Sequence, residues 1–345
     1  MHGRGATDNP ANRFDRLVYE PDVESLEEEG PLPDTQLLRD VSRSLITYND
    51  SPDVGFDASI NPYRGCEHGC IYCYARPNHE YLGFSAGLDF ETRILAKLEA
   101  PRLLRQELAS SHWKPQPLAI SGVTDPYQPV ERRLQLTRRC LEVLVEFRNP
   151  AIVITKNHLV TRDIDLLADL AQHNAAAVFC SITTLEGDLA GKLEPRASRP
   201  ERRLGAIETL AKAGIPTGVM VAPVIPGLTD HEMPSILRAA SRAGARFAGY
   251  TLLRLPHGVA DLFEIWLARH FPDRKEKVLN RIRETRGGKL YDPRFGMRMR
   301  GEGEYTDHLS KLFAIARRQA GMTTNRLSLS TSAFRPQPAQ MELFR

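Results

Sequence analysis

No run of about 18 apolar residues occurs anywhere in this chain, so a membrane-spanning helix is not expected. The opening Met1-His2-Gly3-Arg4 also lacks the apolar core of a secretory leader, and the cytoplasm is the expected compartment. Cysteine is scarce: 5 among 345 residues, an odd number, with three of them close together. That distribution does not suit a secreted disulfide framework, and in a reducing compartment it favours thiols as metal ligands or catalytic groups. Lysine is missing from residues 1–60, which hold 5 Arg against 13 Asp and Glu, a net −8. Residues 271–335 reverse the balance, with 15 Lys and Arg against 7 acids, a net +8. Such polarity marks either a nucleic-acid-facing surface at the basic end or a well-solvated helical one. The rest is ordinary. Hydrophobic residues at 41% suffice for a substantial core, and the length admits one large domain or two of common size.

Four parts are expected along the chain. Residues 1–45 are acidic and weakly periodic, with Glu27-Glu28-Glu29 before Gly30-Pro31-Leu32-Pro33, and read as an extended or partly flexible lead-in. Residues 46–270 form the core, 271–322 a basic helical C-terminal extension, and 323–345 a flexible tail. Within the core, β-rich runs at 58–61, 117–123, 151–156, 177–184, 217–224 and 246–253 alternate with helix-like stretches. Those stretches are 92–110, 130–147, 161–173, 200–213, 231–244 and 257–271. The alternation predicts βαβ units around a parallel sheet. Six units are too few for an eight-stranded barrel, so the expected fold is α/β, a partial TIM-type (β/α)6 barrel. Further helices at 273–286 and 305–320 would make the C-terminal helical extension. Ser198-Arg199-Pro200-Glu201 and Thr229-Asp230-His231-Glu232 have the spacing of capping boxes.

The strongest chemical signal is Gly65-Cys66-Glu67-His68-Gly69-Cys70-Ile71-Tyr72-Cys73. Three thiols at this spacing can converge from one tight loop, and Gly65 and Gly69 permit its curvature. Thiolates suit both iron–sulfur clusters and zinc. A structural site would normally recruit a fourth ligand, and none is obvious: His68 is poorly aimed, and Cys140 and Cys180 lie in a helix and a strand. Three ligands on a four-iron cluster leave one iron open for chemistry. The loop follows the first strand of the βα series, at the mouth where barrel active sites are built.

With Tyr72 as the aromatic, C-x3-C-x-aromatic-C resembles the signature of the radical S-adenosylmethionine (SAM) superfamily. The likeness extends over about residues 57–255 through Asn61-Pro62-Tyr63-Arg64, Ser121-Gly122-Val123-Thr124-Asp125-Pro126, Leu193-Glu194-Pro195-Arg196 and Pro223-Val224-Ile225-Pro226-Gly227. These segments resemble the spore photoproduct lyase-related branch, in particular its uncharacterised bacterial members. The resemblance implies a [4Fe–4S] cluster on Cys66, Cys70 and Cys73 whose open iron chelates SAM. Reductive cleavage would then yield methionine and a 5′-deoxyadenosyl radical that removes hydrogen from a substrate. It implies cofactor contacts from Tyr72, from Thr124 or Asp125 in place of the common Gly-Gly-Glu stretch, and from Lys156 and Ser181 to the SAM carboxylate. It implies an electron donor such as flavodoxin or ferredoxin, and a nucleic-acid substrate through DNA lesion repair of a lyase-like kind. Radical modification of RNA, a protein or a small metabolite is the alternative from the same class. A non-catalytic metal-dependent interaction module is the alternative from another.

The remaining residues have bland and sharp readings side by side. Glu194 would hold ribose or substrate. Cys140 and Cys180 are either hydrogen donors or small buried apolar groups, and strand alternation turns Cys180 away from Ser181. Arg294, Arg298 and Arg300 either grip phosphates or pair with Glu302 and Glu304. Gln340, Met341, Leu343 and Phe344 resemble the peptide by which bacterial repair proteins dock on the sliding clamp; the bland reading is a tail packed on its own domain.

Overall fold

The computed structural model describes residues 3–14 and 34–336. In chain order its strands are β1 (Gln36–Arg39), β2 (Ile46–Tyr48), β3 (Ala58–Ile60), β4 (Tyr63–Arg64) and β5 (Arg93–Ala96). They continue with β6 (Leu118–Ile120), β7 (Ala151–Thr155), β8 (Ala176–Ser181), β9 (Thr217–Val224) and β10 (Phe247–Leu252). Seven of these make one sheet in the order β10-β9-β8-β7-β6-β3-β2. β3 and β6 through β10 run parallel, and β2 lies antiparallel to β3 at the edge. All six expected core strands are present, in the consecutive order that right-handed βαβ crossovers produce.

The strands form here because they are apolar on both faces, as a helix-covered parallel sheet requires. Val153, Val178 and Val219 sit at the centre of a core that also takes Leu141, Leu144 and Phe147 from the helix Leu136–Phe147. That helix buries its face at helical spacing, and each such Leu or Phe contributes about 1.5–3 kcal/mol relative to exposure. The C-terminal extension joins the same body. Leu309, Phe313 and Ala316 of the helix Glu304–Gln319 belong to the main core. Val278, Leu279 and Ile282 of the helix Lys275–Glu284 belong to a second cluster with Phe263, Trp266, Ile71 and Tyr72, so the extension supports the cysteine loop.

Several local expectations are corrected. The stretch 92–110 is not one helix: Arg93–Ala96 is β5, which pairs parallel with β1 and antiparallel with β4 in a small second sheet. Its partners are remote in sequence, so its helix-like composition yields to tertiary pairing. The stretch 130–147 breaks at Gln135, which takes a left-handed conformation. Neither capping box forms. Ser198 donates to Asn157 Oδ1 at 3.1 Å, and Glu232 accepts from Thr184 and Leu185, so those side chains serve long-range contacts instead. Arg294 pairs with Asp292 and Glu302, and Arg298 with Asp53, the ion-pair role for both. Gln340, Met341, Leu343 and Phe344 lie outside the described residues. Among the described residues no helix is long and apolar enough to cross a membrane.

Candidate functional site

The ends of β6 through β10 and the cysteine loop enclose a cavity of about 690 Å³. Cys66, Cys70 and Cys73 line it from one side, with Ser121 to Asp125, Lys156, Ser181 and Arg254 from the strand ends. The loop turns through Gly65 and Gly69, both at positive φ. A Cβ at Gly65 would stand 2.9 Å from the His79 ring and 3.0 Å from two backbone oxygens, so glycine is required there for space as well as for conformation.

The loop is braced by buried polar groups. Arg76 and Glu91 form an ion pair with neither side chain exposed. Arg76 also donates to the Cys70 carbonyl at 2.9 Å and to Gly87 O at 2.9 Å. The amides of Gly5 and Ala6 donate to the Glu91 carboxylate at 2.9 and 2.8 Å, which ties the N-terminal residues to the loop. Gln128 bridges it too, accepting from Glu67 N at 2.9 Å and donating to Gly65 O at 3.1 Å. None of these braces has a local signature. Arg76 and Glu91 are fifteen positions apart, a separation that no helical or strand period marks.

His68 is buried and lines the cavity beside the cysteines, with Nε2 at 3.1 Å from Asn157 Nδ2 and Nδ1 at 3.4 Å from Asp125. Asp125 accepts further from Thr155 Oγ1 and Lys156 N at 2.7 Å each and from Tyr127 N at 2.9 Å. Burial alone would raise its carboxyl; His68 and these donors hold it below the usual carboxylate range. Asp125 therefore fixes the turn between β6 and β7. Thr124 lines the cavity while its hydroxyl donates to Tyr63 O at 3.1 Å.

The expected role for Glu194 on a ligand is corrected by its surroundings. Tyr72, Thr183 and Arg203 all donate to its carboxylate, and it does not line the cavity. Burial opposes its ionisation, but Arg203 first and Lys156 next pull it down to about 2. It anchors Tyr72, whose ring lies 5.9 Å from the Lys156 ammonium. Lys156 and Ser181 differ from these braces. The ammonium donates to one carbonyl, Ala222 O at 3.0 Å, and the Ser181 hydroxyl has no protein partner among the described residues. A cation and a hydroxyl left in this state suit a carboxylate.

Burial pushes all three loop thiols up, most strongly at Cys66, so they stay protonated until a metal displaces the protons. Their arrangement discriminates between metals. A single tetrahedral zinc, with Zn–S near 2.3 Å, draws its sulfurs to about 3.8 Å of one another. Among the described residues, the one set of three metal-capable ligand atoms within 4.8 Å of one another is Glu186, His231 and Glu232, not the cysteines. Two buried thiols and the half-buried Cys73, on one cavity and not all within that distance, fit a larger inorganic group. Cys140 and Cys180 are buried in the main core and do not line the cavity.

The model of the radical SAM superfamily matches residues 60–240. An uncharacterized protein of Mycobacterium tuberculosis is 36% identical over 231 residues, 66% of this chain and 67% of that one. A protein of Pseudomonas phage M6 named radical SAM Nalpha-GlyT isomerase is 28% identical over 173 residues, 50% of this chain and 34% of that one. Among solved structures, spore photoproduct lyase complexed with dinucleoside spore photoproduct matches with a TM-score of 0.58, covering 82% of this chain and 79% of that one. At 16% identity that likeness is one of fold.

Proposed function

This chain belongs to the radical SAM superfamily, and from that premise we propose that Cys66, Cys70 and Cys73 hold its [4Fe–4S] cluster for radical chemistry on nucleic acid. Members of the superfamily use such a cluster together with SAM. When bound, these cofactors supply reductive cleavage of the sulfonium, which gives methionine and a 5′-deoxyadenosyl radical. The observation that carries the reading is the placement of Cys66, Cys70 and Cys73 on one cavity, with sulfurs that are not all within 4.8 Å of one another, wider than a single tetrahedral ion draws them.

The protein's own part is binding, orientation and exclusion of water. Lys156 and Ser181 receive the SAM carboxylate. Tyr72 supplies an apolar wall, its hydroxyl fixed by Glu194 and Thr183. Asp125, through Thr155 and Lys156 N, keeps the end of β7 at the height where Lys156 reaches the cavity. Thr124 and the Ser121-Gly122 turn contribute backbone polar groups to the same wall. Electrons come from a small donor protein such as a flavodoxin or ferredoxin.

The nucleic-acid substrate is supported by the basic residues 271–335. The fold of a spore photoproduct lyase complexed with a dinucleoside photoproduct is in keeping with it. Repair of a DNA lesion is the leading form; the phage relative favours isomerisation as the second. Anaerobic reconstitution tests the core claim. About four irons per chain and reductant-dependent 5′-deoxyadenosine are expected, and Cys66→Ala, Cys70→Ala or Cys73→Ala should each abolish both. Stoichiometric zinc with no SAM cleavage sinks it. Label exchange from deuterated SAM into damaged duplex DNA tests the substrate.

A further inference from the structure

Arg254 follows β10 and reaches the mouth of the cavity. It is the cation there with the poorest protein partners. Its Nε is buried without a hydrogen bond, and its Nη1 meets only Met299 Sδ at 3.7 Å. The neighbouring Asp53 uses its carboxylate on Gly296 N and Arg298. No Asp or Glu among the described residues stands within ion-pair distance of Arg254, although Asp53 lies near enough to feel its charge. Instead its guanidinium lies 4.7 Å from the centroid of the Tyr74 ring, and Tyr74 is itself pinned by donating to Gly122 O at 2.6 Å. Arg286 adds to the surplus of positive charge: burial first and Arg254 second push its guanidinium down to about 10.

A guanidinium that is oriented by an aromatic face, with no carboxylate at ion-pair distance, is suited to receive an anion. The same cavity is lined by Tyr48, which leaves 67% of its surface exposed on the edge strand β2. A planar fork and a free aromatic ring at one mouth match alternating phosphate and base, and a carboxylate alone would leave the ring without a partner. We infer that Arg254, laid over Tyr74, receives a phosphodiester oxygen of a polynucleotide whose exposed base stacks on Tyr48. This rests on the nucleic-acid reading above and deepens it, assigning the substrate side of the cavity to a strand whose base is out of the stack.

Anaerobically reconstituted full-length protein is titrated, without SAM, into labelled single-stranded DNA of about 12 nucleotides, and anisotropy is followed at several salt concentrations. Arg254→Gln should bind about 10-fold more weakly and lower the slope of log affinity against log salt by about 0.7. Arg254→Lys should restore the slope with intermediate affinity, because it keeps the charge without the planar face. Tyr48→Ala should weaken binding about 10-fold and leave the slope unchanged. Iron content and visible absorption equal to wild type establish that each variant folds. Wild-type affinity and slope in Arg254→Gln overturn the inference and leave the nucleic-acid reading standing. A wild-type protein that cleaves SAM but binds neither single-stranded nor duplex DNA overturns both. Loss of SAM affinity in Arg254→Gln with DNA binding intact assigns the arginine to the cofactor and overturns the inference; binding of polyglutamate in place of DNA does the same.

Discussion

The two sides of the cavity are built on opposite principles. On the cysteine side, polar groups are saturated by the protein: Arg76 donates to three backbone carbonyls besides Glu91, and Glu91 accepts two backbone amides as well as Arg76. On the strand-end side, among the described residues, Lys156 has one carbonyl, the Ser181 hydroxyl none, and Arg254 a sulfur and an aromatic face. Saturated groups hold shape, since an unmet buried charge is costly, whereas groups left short of partners keep their binding energy for a ligand. The contrast separates residues that position from residues that bind.

Breaking the saturated side should cost the most. Glu91→Gln leaves Arg76 buried without its charge partner, an expected loss of about 3–5 kcal/mol in chemical denaturation together with a failure to retain iron. Retained stability and full iron content would mean that the loop does not depend on the pair. The same side should carry an acid limit. His79 is buried among Phe84 and Phe90, and burial pushes its imidazole from the ordinary 6.5 down to about 4. Between those values the unfolded chain binds the extra proton. Stability should therefore be complete above about pH 6.5 and fall toward pH 4, by on the order of 3 kcal/mol. His79→Gln should flatten that limb in denaturation curves taken across the window.

On the unsaturated side the fold should survive while affinity drops. Lys156→Met should weaken SAM binding to the reconstituted protein by about 10- to 100-fold, the worth of one charge-assisted hydrogen bond, with iron content unchanged. Ser181→Ala should show the smallest effect, about 5-fold in SAM affinity, as expected for a single neutral hydroxyl. Anaerobic calorimetry reads both. A fold-level loss from either variant would erase the distinction between the two sides.

Much of the frame was legible along the chain, for physical reasons. Buried parallel strands read as apolar runs, so all six were found within a few residues, and the cysteine loop is local enough for Gly65 and Gly69 to betray its curvature. β5 was missed because Arg93-Ile94-Leu95-Ala96 carries no strand signal of its own; β1 and β4 make it one. The two capping boxes failed for the same kind of reason, since Ser198 and Glu232 found better partners across the fold. Glu194 was expected to touch a ligand, but Arg203, Tyr72 and Thr183 surround it.

By itself, then, the sequence determined the alternation of strand and helix and the loop that carries three thiols, because both depend on residues a few positions apart. Which polar groups would be satisfied and which would face the cavity short of a partner was decided only in three dimensions. Tyr74 and Arg254 stand 180 positions apart in the chain, and Lys156 donates to the remote carbonyl of Ala222. Hydrogen bonds and ion pairs act over a few ångströms of space, so their completion depends on where distant segments come to rest.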